Sequence, residues 1–101
     1  PAIVIIDGLL SRGVSVRAYD PEAAHQARRI FGDRITICDT SYETLGGADA
    51  LAVVTEWNEF REPDFKRMLR LLKEPNVFDG RNIYSPENMK ALGFRYFSIG
   101  R

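Results

Sequence analysis

Ala50-Leu51-Ala52-Val53-Val54 is a continuous apolar run held between Asp49 and Glu56. A strand in the middle of a parallel sheet is covered on both faces and so shows no apolar–polar alternation. The run is therefore read as the central strand of an α/β domain. On its N-terminal side, Thr40 with Glu43 three residues later forms a capping box that opens a short helix ending at Gly46-Gly47. Before that, Arg34 to Cys38 reads as a short strand, and Gly32 stops a helix whose buried stripe is Ala23, Ala24, Ala27, Ile30 and Phe31. That helix opens at Asp20-Pro21, an N-cap followed by Pro at the first helical position. Val14 to Tyr19 alternates as a strand, and residues 2 to 11 pair Ile5 with Leu9 and Ile6 with Leu10 at helical spacing ahead of Gly13, a left-handed C-cap. On the C-terminal side, Phe65, Met68, Leu69 and Leu72 make one face of a helix whose other face carries Lys66, Arg70 and Lys73. Asn76 to Phe78 is a strand, Asp79-Gly80 its exit, Ser85-Pro86 a cap, Gly93 a stop, and Phe94 to Ile99 the last strand. Strands and helices alternate throughout, which predicts a three-layer, Rossmann-like α/β domain with a mostly parallel, roughly five-stranded sheet.

The chain has 101 residues and a mass of 11.5 kDa, one small domain. That is too short for a two-domain dinucleotide-dependent oxidoreductase. Its 45% hydrophobic and 28% charged residues are those of a globular core. A formal charge of zero gives no global field to hold nucleic acid or an anionic membrane. Cys38 is the sole cysteine, which excludes an intrachain disulfide and a multi-cysteine zinc site and fits a reducing cytoplasm. No stretch lacking Lys, Arg, Asp and Glu exceeds six residues, so no membrane span is predicted.

Ligands of open parallel sheets bind outside the carboxyl ends of the strands. Those ends are Tyr19-Asp20, Cys38-Asp39, Thr55-Glu56-Trp57 and Asp79-Gly80-Arg81-Asn82. In the last set Gly80 allows close backbone approach or a positive φ, and Arg81 offers a planar cation that grips phosphate through two parallel hydrogen bonds. On spacing alone a turn with a solvated Arg is the favoured reading, and a phosphate contact is its alternative. Asp20 ahead of Pro21 reads as a cap, with a ribose contact as its alternative. Cys38, in an apolar strand, reads as a buried structural thiol and not a nucleophile. His25, beside Gln26 and Arg28, reads as solvated, and without partner ligands no metal is predicted. Trp57 and Phe60, with Glu56 and Glu59, either close the core or stack on a base. Neither a GxGxxG nor a GxxxxGK loop is present, which argues against dinucleotide binding by this domain itself.

Thr55-Glu56-Trp57-Asn58-Glu59-Phe60 after Ala48 to Val54 resembles the T-E-W-x-x-F segment of the C-terminal domain of the UDP-glucose 6-dehydrogenase and GDP-mannose dehydrogenase family. Val16-Arg17-Ala18-Tyr19-Asp20-Pro21 is similar to that family's first strand and cap, Val77-Phe78-Asp79-Gly80-Arg81-Asn82 to its F-D-G-R turn, and Leu92-Gly93-Phe94 through Ile99-Gly100-Arg101 to its closing strand. The resemblance spans nearly the whole chain. It implies that residues 1–101 are the nucleotide-sugar (UDP) binding domain, the C-terminal part of a larger enzyme, and that Arg81, with Gly80 and Asp79, contacts the UDP-sugar. It implies further that the enzyme oxidises the C6 hydroxyl of UDP-glucose to a carboxylate in two NAD-dependent steps through a cysteine thioester. The cysteine, the F-K-x-x-T-D-D-x-R-E signature and the NAD-binding N-terminal domain belong to parts of the family's chain that are not here, and Cys38 does not map on the nucleophile. The chain is accordingly expected to be an excised piece of a cytoplasmic homo-oligomer, inactive alone. UDP-glucose, UDP-N-acetylmannosamine and GDP-mannose all remain open as substrate. A receiver-like signalling module and a non-catalytic scaffold are the competing readings; the first lacks a pair of acids after the first strand and a Lys after a late one.

Overall fold

The computed structural model describes residues 2–20, 24–54 and 63–98. The chain divides into two compact units, Pro1–Thr44 and Leu45–Arg101. Among the described residues all strand pairings are parallel: the strands form one two-stranded and one three-stranded sheet. The parallel α/β class expected from the alternating pattern is thus what the chain adopts.

In the first unit, helix α1 (Ala2–Ser11) ends as its sequence predicts. Gly13 takes φ 78°, and the amides of Gly13 and Val14 turn back to the carbonyls of Leu10 (3.0 Å) and Leu9 (3.1 Å), which satisfies two of the helix's orphan acceptors. Strands β1 (Arg17–Ala18) and β2 (Thr36–Ile37) pair in register, and the ladder is extended by bonds from Thr36 N to Val16 O and from Cys38 N to Ala18 O. Both are shorter than the predicted strands 14–19 and 34–38: Arg34 ends a 3-10 turn, Gly32–Arg34, and only Arg17–Ala18 and Thr36–Ile37 pair as ladder partners. Helix α2 (Ala24–Phe31) bonds its first amide to the Asp20 carbonyl at 2.9 Å, as an N-cap residue's carbonyl should accept; Pro21, Glu22 and Ala23 lie outside the described residues. Phe31 is buried, as is Ile35 in the turn beyond, whereas Ile30 is 45% exposed. The predicted stripe was too wide. Ala24, Ala27 and Phe31 share a face, and Ile30 lies roughly 100° round the helix from Phe31, at the margin.

The second unit holds β3 (Leu51–Val53), α3 (Phe65–Leu71), β4 (Asn76–Asp79), α4 (Pro86–Leu92) and β5 (Arg95–Ser98), with the sheet ordered β3-β4-β5. Within this three-stranded sheet the middle position belongs to β4, and Ala52 of β3 is exposed. Among the described residues only β4 has a hydrogen-bonded neighbour on each side, and its Val77 and Asp79 are fully buried. Met68, Leu72, Tyr84, Met89, Phe94 and Tyr96 complete the core, with Phe65 set edge-on to Tyr84 and Phe94 at centroid distances of 5.5 and 6.1 Å. Asp64 caps α3 by accepting from Arg67 N, and Ser85 caps α4 by accepting from Asn88 N ahead of Pro86. Gly93, at φ 105°, closes α4 in the left-handed conformation. The loop before β3 is tied to the end of α3 by Gly47 N to Leu71 O and Lys73 N to Ala48 O, both 2.8 Å.

Met89 is 1% exposed, so Met89→Ala is expected to cost about 2–4 kcal/mol in urea denaturation, against less than about 0.5 kcal/mol for Lys90→Ala on the same helix. Equal losses would remove Met89 from the core.

Candidate functional site

Among the described strand ends, the exit of β4 is the one built on a fully buried acid bonded to the turn that follows it. Asp79 closes the strand with a carboxyl group at zero solvent exposure. A carboxylate taken out of water is costly unless donors surround it. Here there are four: Oδ1 accepts from Arg81 N at 3.0 Å, and Oδ2 accepts from Ile83 N at 2.8 Å, Tyr84 N at 3.1 Å and the Tyr96 hydroxyl at 2.7 Å. The bond to Arg81 N, two residues on, is an Asx-turn, the local closure that Asp makes readily. The bonds to Ile83 and Tyr84 stretch the same principle over the rest of the loop.

Gly80 donates its amide to Val53 O at 2.8 Å, so the start of the turn is anchored to the end of β3. Asn82 takes φ 57°, the left-handed region, which Asn tolerates better than most side chains. The chain thus reverses at Asn82, and Arg81 is left exposed at the tip. With the Gly80 and Arg81 amides committed inward, the turn does not present them to an anion as a phosphate loop does. What it offers an anion is the Arg81 guanidinium, fixed at its backbone and long at its side chain.

Asp79, Gly80 and Arg81 are therefore brought together on one turn, with different surroundings: Asp79 engaged beneath it, Gly80 tethered to β3, Arg81 at the surface. Tyr96 was missed. The signal was available in principle, since a Tyr at an inward position of the last strand must find a partner for its hydroxyl when buried. Trp57, Phe60, Glu56 and Glu59 lie outside the described residues.

The strand ends of the first unit carry less. Cys38 is half-buried, not fully buried as expected. Burial pushes its thiol above the ordinary range, Glu43 and Asp39 push the same way, and Arg17 opposes them. A raised thiol is the opposite of an activated nucleophile. Thr40 Oγ1 accepts from Glu43 N at 3.3 Å and donates to Glu43 Oε1 at 3.1 Å, so the expected box caps a 3-10 turn, Tyr42–Thr44. His25 is exposed on α2. Among the described residues no group of three His, Cys, Asp or Glu could hold a metal, and no helix is long and apolar enough to cross a membrane.

Residues 1–86 match the family model described as the UDP binding domain of the UDP-glucose/GDP-mannose dehydrogenase family; the matched stretch ends before β5 and Tyr96. The chain is 43% identical over 106 residues to a UDP-glucose 6-dehydrogenase of Pseudomonas aeruginosa, covering 100% of this chain and 23% of the relative. It is 40% identical over 101 residues to UDP-glucose 6-dehydrogenase TuaD of Bacillus subtilis, covering 100% of this chain and 22% of that protein. The chain thus spans about a quarter of the length of the curated relatives it matches. Among solved structures, a UDP-D-ManNAc dehydrogenase from Pyrococcus horikoshii superposes with a TM-score of 0.57 at 18% identity, over 99% of this chain and 30% of that one, which establishes a shared fold.

Asp79→Ala would strand four donors, and it is expected to cost on the order of 3 kcal/mol, read as a lower urea midpoint at unchanged m. A loss below about 1 kcal/mol would show that the donors are satisfied without it.

Proposed function

We infer function from one premise: this chain belongs to the UDP-glucose/GDP-mannose dehydrogenase family. We propose that it is the part of such an enzyme that binds and orients a UDP-sugar, with Arg81 as the group that meets the diphosphate. The observation that carries this is an exposed Arg at a parallel-strand exit, on a turn whose backbone is fixed from beneath by a buried carboxylate. A guanidinium presents two parallel N–H donors to a phosphate, and a rigid backbone limits the entropy lost when it does so. Asp79 serves by shaping the turn, and Gly80 by fitting it against β3.

The reaction proposed for the whole enzyme is the oxidation of the sugar's C6 hydroxyl to a carboxylate, with UDP-glucose as the leading substrate. NAD supplies the oxidising power for that chemistry when bound. The residues here do not fit it: after β1 the sequence runs Tyr19-Asp20-Pro21, without a glycine for close approach to a pyrophosphate, and Pro21 lacks an amide to donate. NAD and the cysteine nucleophile are therefore assigned to the rest of the polypeptide, and no step is routed through this chain. Its contribution is binding energy from the nucleotide end, which holds the sugar at a reacting centre elsewhere. A cytoplasmic, homo-oligomeric enzyme is part of the same reading. The family membership leaves the signalling and scaffold readings without support.

In the full-length enzyme, Arg81→Ala is expected to raise KM for the UDP-sugar by roughly tenfold or more, the loss of one charged hydrogen-bonding group. Arg81→Lys should recover only part of it, because Lys keeps the charge and not the two-pronged geometry. Steady-state kinetics unchanged in both variants would contradict the assignment.

A further inference from the structure

We propose that Tyr96 is a positioning residue for nucleotide binding: its hydroxyl, by holding the Asp79 carboxylate, sets the turn that presents Arg81. The inference rests on the reading of Arg81 as the diphosphate contact, and it deepens that reading by placing part of the binding determinant on β5, away from the turn.

Four observations converge on Tyr96. It lies on β5 opposite Val77, and its side chain reaches diagonally to the end of β4. Its hydroxyl is 2.7 Å from Asp79 Oδ2, the oxygen that also takes the Ile83 and Tyr84 amides, and 3.1 Å from the Tyr84 carbonyl. The hydroxyl therefore touches both the carboxylate that organises the turn and the backbone at which the turn ends. Tyr96 is only 7% exposed, so water is a poor substitute for it. Lastly, the hydroxyl is the one side-chain donor among the four on Asp79; the other three are backbone amides of the turn itself.

The consequence is geometric. The Asp79 carboxyl group can swing about its own side-chain torsions, and the amides of Arg81, Ile83 and Tyr84 would follow it, because they are bonded to it. A phenol fixed in a parallel sheet removes that freedom by pinning Oδ2 to a residue outside the turn. Without it, Oδ2 would keep its bonds to Ile83 and Tyr84, but nothing outside the turn would define where the assembly sits. Arg81, bonded through its amide to the other carboxylate oxygen, would lose register with a ligand held elsewhere in the enzyme. Small displacements of a positioning group carry disproportionate losses in binding.

The test is a two-by-two set in the full-length enzyme: wild type, Tyr96→Phe, Arg81→Ala and the double variant, each measured for KM of the UDP-sugar, KM of NAD, kcat and thermal midpoint. Tyr96→Phe keeps the ring and removes only the hydroxyl. The proposal expects it to raise KM for the UDP-sugar by roughly threefold or more with KM for NAD unchanged. It also expects that rise to disappear in the Arg81→Ala background, while the fall in thermal midpoint persists there. A merely structural Tyr96 lowers the midpoint but leaves KM unchanged, or raises it equally in both backgrounds; either result overturns the proposal. If Arg81→Ala alone leaves KM unchanged, the diphosphate reading itself fails, and the positioning role falls with it. Should Tyr96→Phe not fold, Asp79→Asn takes its place in the same cycle with the same expectations, since it keeps the side chain's size and disrupts the acceptor that the hydroxyl holds.

Discussion

A carboxylate at the end of the middle strand has to be satisfied without water. Asp79 meets that constraint by recruiting three amides from the residues that follow it and one hydroxyl from the neighbouring strand. The turn's shape follows from this requirement. If the amides of Arg81, Ile83 and Tyr84 must all converge on one group, the chain has to curl over it, and the left-handed conformation at Asn82 is where it reverses. Tyr84 is drawn down into the core against Phe65, and Ser85 and Pro86 start the next helix directly after. The buried acid thus links the sheet, the turn, α4 and the aromatic cluster in one hydrogen-bonded and packed assembly.

That arrangement separates two tasks which anion-binding loops usually combine. In a phosphate loop the backbone amides both shape the loop and bind the ligand. Here the amides are directed to an internal acid, and the Arg81 side chain lies exposed at the tip of the turn. In the first unit, burial raises the Cys38 thiol, the opposite of what an activated nucleophile needs.

Local features were legible in the sequence because their causes are local. Gly13 and Gly93 end helices where they were expected, Thr40 with Glu43 makes its box, and Ser85 with Pro86 opens α4. The alternation of strands and helices was enough to give a parallel α/β fold. Pairing was harder to read: Ala50–Val54 and Asn76–Phe78 both read as strands, but that β4 pairs with both β3 and β5 depends on which neighbours arrive from elsewhere in the chain. Ile30 was misplaced for a smaller reason, a stripe drawn one residue too wide. At the site, Arg81 could be singled out from its place at a strand end. The work done by Asp79 could not, because its decisive partner is Tyr96, 17 residues away and brought near only by the crossover through α4.

The central claim is that one buried carboxylate orders the whole turn, and amide hydrogen exchange measured residue by residue tests it most directly. The amides of Arg81, Ile83 and Tyr84 should be protected to a degree approaching that of Val77 in β4, and in Asp79→Ala all three should lose protection together while Val77 keeps its own. Exchange of these three amides at the rate of an exposed turn in the unsubstituted protein would contradict the account.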